Sequence, residues 1–559
     1  MNQKAEKAYK TYLSCVKQLK TVKRVTKQDL NTLYNIQRRI KKDADYEKDM
    51  SEISVDGTTF DSLIENFFGE YNNLYGLEIR DDLMEFDDPE FASGSYFIIR
   101  TYAKDNDGNL VETAPTDFRA NQEAVVKATL YSHESNSPLA AERLSLLAVS
   151  DAGEEIRKIS EKTDTMEFTA TLAKPGYIKF KIIAMNEASQ MVLGSETAFG
   201  GIIFSREEIK ALHEPPADLR EFWDGEVKRL MSTDPTDTVA DEYTGEVETV
   251  FDIPSKNKYS LRRVDKEYVE YLKSNSQPGP DDNQLENYYI YELVLKSPGP
   301  CPSTGYVSVP KSAKACSLPI YVSYDGYSVR SPAPMVKPDA IAVHCSHHGY
   351  ELGKKDSEYY AEIRNTVGGN YCLGNGEPNS CFNNIHDCYP LYMMLRNLQM
   401  IRYLIDPALS SEVERLHTVW NGEIILWGGS MGGYQTLGVG ALMPIMKKYC
   451  APYKSVLLQA GSPAFGDVAG HTAGRVKSTF FTYQEGVDYF DTAIVASLIA
   501  DPTLIHRASL GDEICTATSM TAMFNMIPST VSKEIRYVQN SSHGYLPDEE
   551  HQMWFVYKS

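Results

Sequence analysis

Hydrophobic and polar positions along the chain change rhythm three times, and each rhythm predicts a different kind of structure. From about Lys4 to Tyr75 the chain is charged and almost without Gly or Pro, and Tyr9, Tyr12, Leu13, Val16 and Leu19 recur at helical spacing. This predicts a helical N-terminal region over residues 1–85. Its apolar stripe is a packing face, with a partner-binding helix as the alternative. Lys17, Lys20, Lys23, Arg24 and Lys27 read as a solvated helix face in preference to a nucleic-acid patch.

Over residues 86–205 short alternating runs are separated by turn chemistry, as where Tyr96 to Tyr102 gives way to Asp105-Asn106-Asp107-Gly108-Asn109. Met166 to Leu172 alternates with period two, Lys174-Pro175-Gly176 turns the chain, and Tyr177 to Ala184 forms the next strand. Strands at this spacing predict an immunoglobulin-like β-sandwich of roughly 110 residues. No metal cluster or aromatic platform stands out in it, so it reads as a structural or substrate-shaping domain, with carbohydrate binding left open. Over residues 206–559 apolar strands such as Ala340 to His344, Glu423 to Trp427 and Ser455 to Gln459 alternate with helical segments. That pattern predicts an α/β domain, a mostly parallel sheet flanked by helices with its site loops at the carboxyl ends of the strands.

One such loop carries chemistry. Gly428-Gly429-Ser430-Met431-Gly432 has the Gly-x-Ser-x-Gly form of a nucleophile elbow, with the strand Glu423 to Trp427 before it and a helix-forming run, Tyr434 to Met443, after it. Small neighbours let the backbone turn sharply and lift a serine hydroxyl above the sheet. The five residues alone also describe a glycine turn; the strand and helix make the catalytic reading the stronger one.

Composition narrows the partners. A chain of 559 residues is too long for one core, and 42% hydrophobic residues are those of a globular protein. No apolar run approaches the roughly 20 residues that span a bilayer, so a soluble protein is expected. The formal charge of −21 argues against nucleic acid or an anionic membrane surface and favours a neutral substrate. Nine cysteines contain no Cys-x-x-Cys pair. Cys372, Cys381 and Cys388 cluster, and read as buried thiols unless export permits a disulfide. The first residues lack a signal-peptide core, which fits either a cytosolic protein or a processed start.

A serine nucleophile needs a base in hydrogen-bond reach and a carboxylate to orient that base, in the order Ser, Asp or Glu, His. Asp512, with Glu513 as its nearest rival, follows a short strand-like run, and His543 follows the strand Ile535 to Val538. His471, His506 and His551 are less suited; His506 precedes the acid and His551 falls in an expected terminal helix. Two backbone N–H groups should face the oxyanion. Met431 supplies one, and Tyr324-Asp325-Gly326-Tyr327 after the strand Leu318 to Ser323 makes Tyr327 the candidate for the other.

These residues resemble a family. Pro215-Pro216-Ala217-Asp218-Leu219-Arg220-Glu221-Phe222-Trp223-Asp224 is similar to the segment that leads into the hydrolase domain of acetyl xylan esterases and cephalosporin C deacetylases. Gly428 to Gly433, Leu510 to Cys515 and Ser542-His543-Gly544 are similar, in order, to that family's elbow, acid loop and final histidine. The resemblance runs from about Leu172 to the C-terminus, and Lys174-Pro175-Gly176-Tyr177 is similar to the end of the β-domain in longer members. It implies an α/β-hydrolase fold, Ser430, Asp512 and His543 as nucleophile, acid and base, and Tyr327 as oxyanion donor. Met431 replaces the usual glutamine, Asp325 a common histidine, and Ser346-His347-His348-Gly349-Tyr350 an Arg-Gly-Gln motif. Substrate preference and oligomeric state are therefore left open. The adjacent His347 and His348 read as an ordinary loop pair, with pocket lining or metal binding as the alternative.

The expected chemistry is acyl transfer without metal or organic cofactor: removal of acetyl groups from acetylated oligosaccharide. A prolyl-oligopeptidase-like peptidase is one rival, although no propeller repeats precede the α/β region. A noncatalytic binding protein on a hydrolase fold is the other.

Overall fold

The computed structural model describes residues 95–133, 135–185, 197–237, 259–299, 301–346, 348–361, 384–472 and 483–559, with two short paired strands, Ser54–Val55 and Thr58–Thr59. The remainder of the expected helical region lies outside the described residues, as do His347, Cys372 and Cys381.

Alternation in the first described segment produces eight strands: β1 Ser95–Lys104, β2 Leu110–Glu112, β3 Ala124–Ser132, β4 Ala141–Ser150, β5 Glu155–Thr163, β6 Thr165–Ala170, β7 Gly176–Met185 and β8 Ala198–Phe204. They form two four-stranded antiparallel sheets, in the orders β2-β1-β3-β6 and β8-β7-β4-β5. Phe97, Ile99, Val126, Leu130, Leu144, Leu146, Phe168, Phe180 and Ile202 share one buried cluster, the inward half of each period-two pattern. The turn between β1 and β2 closes where Asp105 Oδ1 accepts the Asp107 and Asn109 N–H groups.

Beyond it lies a ten-stranded sheet made of β9 Ser260–Arg263, β10 Tyr288–Leu295, β11 Ser303–Pro310, β12 Leu318–Tyr324, β13 Ile341–Ser346, β14 Trp420–Gly429, β15 Ser455–Gly461, β16 Thr503–Ser509, β17 Lys533–Gln539 and β18 Met553–Lys558. The order is β9-β10-β11-β13-β12-β14-β15-β16-β17-β18, parallel from β13 through β17 and antiparallel at both margins. Its helices include α1 Leu219–Ser232, α2 Lys266–Ser274, α3 Tyr389–Ile405, α4 Met431–Met446 and α5 Ala517–Met526. Among the described residues no helix is long and apolar enough to cross a membrane.

The two faces of this sheet differ. Ile320, Val322, Ile424, Leu426, Val456, Leu458, Ile505 and Ile535 are buried in one core with α3, α4 and α5. Their neighbours Tyr321, Ile425, Leu457, Leu504, His506 and Arg536 are only half-buried, and Trp427 is exposed. The chain end departs from the expected terminal helix. Glu549–His551 is a single tight turn, and Met553–Lys558 is an edge strand with the alternating burial of a half-covered β run. Three β-prone aromatic residues and one valine in six positions favour a strand there.

Strand β8 of the smaller domain meets the carboxyl ends of β16 and β17. Gln539 Oε1 accepts the Gly201 N–H at 3.2 Å and its Nε2 donates to the Gly201 carbonyl at 3.1 Å. Asn540 Oδ1 accepts the Phe199 N–H, and Asn540 Nδ2 donates to the Phe97 carbonyl at 2.9 Å. From β7, the Tyr177 hydroxyl donates to the Leu510 carbonyl. No side chain fits at Gly201, where a Cβ would lie 2.3 Å from the Tyr177 ring and 2.5 Å from the Leu510 oxygen. Gly201→Ala is therefore expected to cost about 1–3 kcal/mol in urea unfolding. Gly225→Ala, on an open position of α1 with nothing within 4 Å of the added carbon, should instead stabilise by up to about 1 kcal/mol.

Candidate active site

The elbow is dictated by lack of room. A Cβ on Gly428 would sit 2.5 Å from the Gly432 backbone, and one on Gly432 would sit 2.2 Å from the Tyr324 carbonyl oxygen. Only with glycine at both places can β14, α4 and the end of β12 approach so closely. Between them Ser430 has φ 57° and ψ −119°, a conformation that non-glycine residues rarely adopt. It is held by its own backbone: its N–H donates to the Gly461 carbonyl at 2.8 Å, and its carbonyl accepts from Tyr434 and Ala464. Helix α4 begins at the next residue and is buried on nearly all sides. The N–H groups of its first turn point outward past the serine, as at any helix start.

Ser430, Asp512 and His543, drawn from loops after β14, β16 and β17, meet in space. His543 Nε2 lies 3.0 Å from Ser430 Oγ, and His543 Nδ1 lies 2.9 Å from Asp512 Oδ2. Because the carboxylate can only accept, Nδ1 carries a proton and Nε2 of the neutral ring faces the hydroxyl as acceptor. Asp512 is wholly buried, and its other oxygen accepts the N–H groups of Ile514 and Cys515, each at 2.8 Å. Glu513, the rival acid, points to solvent. The histidine loop is pinned by Arg507, which donates to the carbonyls of Ser542 at 2.7 Å and Tyr545 at 3.0 Å.

The rival histidines lie elsewhere. His471 bonds the Ser519 hydroxyl at 2.5 Å, His506 stacks on Trp427 on the half-open sheet face, and His551 stacks on Tyr96.

The loop holding Tyr327 passes beside Ser430: a Cβ on Gly326 would be 3.9 Å from Ser430 Cβ. Several side chains that the sequence reading missed support this loop. Gln435 Nε2 donates to the Asp325 carbonyl at 3.3 Å, and Asn397 holds Gln435 from behind. The Asp325 carboxylate lies 3.1 Å from His344 Nε2 and 3.2 Å from Arg330. His348 departs from the loop pair that was expected. It is 1% exposed, its Nε2 donates to the Ser328 carbonyl at 2.7 Å, and its Nδ1 accepts from the Tyr389 hydroxyl on α3. With both ring nitrogens engaged, it is a strut rather than a metal ligand.

A thiol completes the enclosure. Cys515 is buried against Ser430 and Asp512; burial pushes its pKa well up, the Asp512 charge adds to this, and the hydrogen bond with Ser430 opposes it. It remains a neutral S–H at physiological pH. Asp512, Cys515 and His543 offer donor atoms within 4.8 Å of one another. The His543–Asp512 and His543–Ser430 hydrogen bonds already account for that convergence.

No protein-family model matches the chain, and no curated protein matches it. Among solved structures it is similar to an acetyl xylan esterase from Paenibacillus sp. R4, at 20% identity over 62% of this chain and 95% of that one, with a TM-score of 0.40. It is also similar to acetyl xylan esterase 1 from Thermoanaerobacterium sp. JW/SL YS485, at 15% identity over 61% and 93% of the two chains, with a TM-score of 0.39. A bacterial heroin esterase matches at 10% identity over 46% and 77%, with a TM-score of 0.29.

If His348 braces the Ser328 carbonyl through Tyr389, His348→Phe should cost about 1–3 kcal/mol, because it leaves buried polar groups unpaired. In a cycle with Tyr389→Phe, the two losses should fall short of additivity by at least about 0.5 kcal/mol, measured by denaturant unfolding.

Proposed function

We propose that the protein is a serine ester hydrolase acting by acyl transfer, with Ser430 as nucleophile, His543 as general base and acid, and Asp512 as the orienting carboxylate. The observation that carries this reading is the unbroken hydrogen-bonded chain from Ser430 Oγ through both nitrogens of His543 to the buried Asp512. His543 Nε2 takes the Ser430 proton as Oγ attacks the ester carbonyl carbon. The negative charge on the carbonyl oxygen is met by the Met431 and Tyr327 N–H groups. Collapse of the tetrahedral species expels the alcohol, which takes the proton from His543. A water then adds to the acyl-enzyme through the same base, releasing the acid and restoring Ser430. Asp512, fixed by two backbone N–H groups, stabilises the imidazolium formed in each half.

Substrate is the finer part of the proposal. The lead-in segment Pro215 to Asp224, the elbow, the acid loop and the final histidine, occurring in order, support acetylated carbohydrate as the ester and acetate as the acyl group released. The negative net charge suits a neutral sugar ester. Hydrolysis of a chromogenic acetate should fall about 10⁴-fold or more in both Ser430→Ala and Asp512→Asn. Equal rates in purified wild type and Ser430→Ala would sink the assignment. Labelling by a fluorophosphonate separates a working nucleophile from a noncatalytic relative, and faster cleavage of a peptide than of any ester would overturn the esterase reading.

A further inference from the structure

Away from the triad, a second group of side chains converges at the seam between the two domains. His133 stands at the end of β3 in the smaller domain, whereas Asp548 and His551 lie on the segment running from the His543 loop into β18. One donor atom from each lies within 4.8 Å of the other two. His133 Nε2 is 4.0 Å from Asp548 Oδ2, and the two imidazole centroids are 5.6 Å apart.

Both histidines are largely buried, with side chains 16% and 11% exposed, while Asp548 is 49% exposed and opens the group to solvent. His133 Nε2 and His551 Nδ1 are buried without a hydrogen-bond partner. Two buried imidazole nitrogens without partners, one of them 4.0 Å from the Asp548 carboxylate, cost desolvation that ordinary packing does not return. The Tyr96 ring holds both imidazoles, stacked on His551 at 3.8 Å and tilted over His133 at 4.6 Å. They are therefore fixed in place rather than free to turn to water.

We propose that His133, His551 and Asp548 form a divalent transition-metal site of the zinc class, with water completing the shell, that ties the β-sandwich to the segment following the catalytic histidine loop. Two neutral imidazoles and one carboxylate are the ligand types that select such an ion over calcium or magnesium. Around a tetrahedral zinc, ligand atoms stand about 3.4 Å apart, given metal–ligand bonds of about 2.0–2.2 Å. The separation of 4.0 Å between His133 and Asp548 closes to that by a small swing of the exposed carboxylate. Glu550, whose carboxylate is 3.6 Å from His551 Nε2, is placed to orient that ring from outside. The ion's role is structural, since none of its ligands touches Ser430.

The test uses the full chain, stripped of metal by chelator and titrated with Co(II) and Zn(II). One equivalent of Co(II) should give visible absorption without a thiolate charge-transfer band, and Zn(II) should raise the unfolding temperature by a few degrees. His133→Gln and Asp548→Asn should each weaken Co(II) binding at least ~10-fold while retaining the metal-free protein's circular dichroism and ester hydrolysis. Asp548→Asn lies on the surface and keeps the test decisive if His133→Gln does not fold. Absence of Co(II) binding, or equal spectra in wild type and both variants, would overturn the proposal. So would a thiolate band with loss of hydrolysis, since the ion would then sit at Asp512, Cys515 and His543.

Discussion

The arrangement depends on one contact, the seating of β8 against the carboxyl ends of β16 and β17. A nucleophile elbow is local: glycine, strand and helix make it within a dozen residues. The pairing of Asp512 with His543 is not. Asp512 and His543 sit on separate loops, and a hydrogen bond of 2.9 Å between them tolerates little drift. Gln539 and Asn540 bond backbone of the smaller domain, Tyr177 holds the Leu510 carbonyl, and Gly511 lies flush against Phe199. Two loops that would otherwise move independently are thereby fixed to a common rigid surface.

Much of this was legible in the sequence where the signal was local. Period-two runs near Tyr96 and Met166 became β1 and β6, and the apolar run Glu423 to Trp427 became the middle of β14. Strand-end loops in the order Ser, acid, His directed attention to residues that do meet. The linear reading names Asp512 with Glu513 as its nearest rival and takes Asp512 from the family resemblance. Adjacent acids are alike in sequence, and only burial with two N–H donors separates them. The roles of Gln435, His344 and His348 as struts were not legible for a related reason. Each acts on a residue far along the chain, and a buried histidine between a carbonyl and a phenol looks, in one dimension, like any loop histidine.

The terminal strand is different, because its signal was present. Trp554, Phe555, Val556 and Tyr557 alternate between solvent and sheet. A terminal helix was expected here, yet β-branched and aromatic residues at a sheet margin pair more readily than they coil. That strand carries Tyr557, whose hydroxyl contacts Thr116 and donates to Asp117 in the smaller domain, so the chain end also joins the seam.

Three glycines at that seam, Gly200, Gly201 and Gly511, leave no space for a side chain, and they belong to both domains at once. The boundary that composition draws near residue 205 is thus crossed by close-packed backbone. The small sheets form a wall against which the loops carrying Asp512 and His543 rest. The small sheets are therefore part of the frame around the Ser430 loop. Their strands help to shape a site to which they contribute no side chain of the Ser430–His543–Asp512 chain.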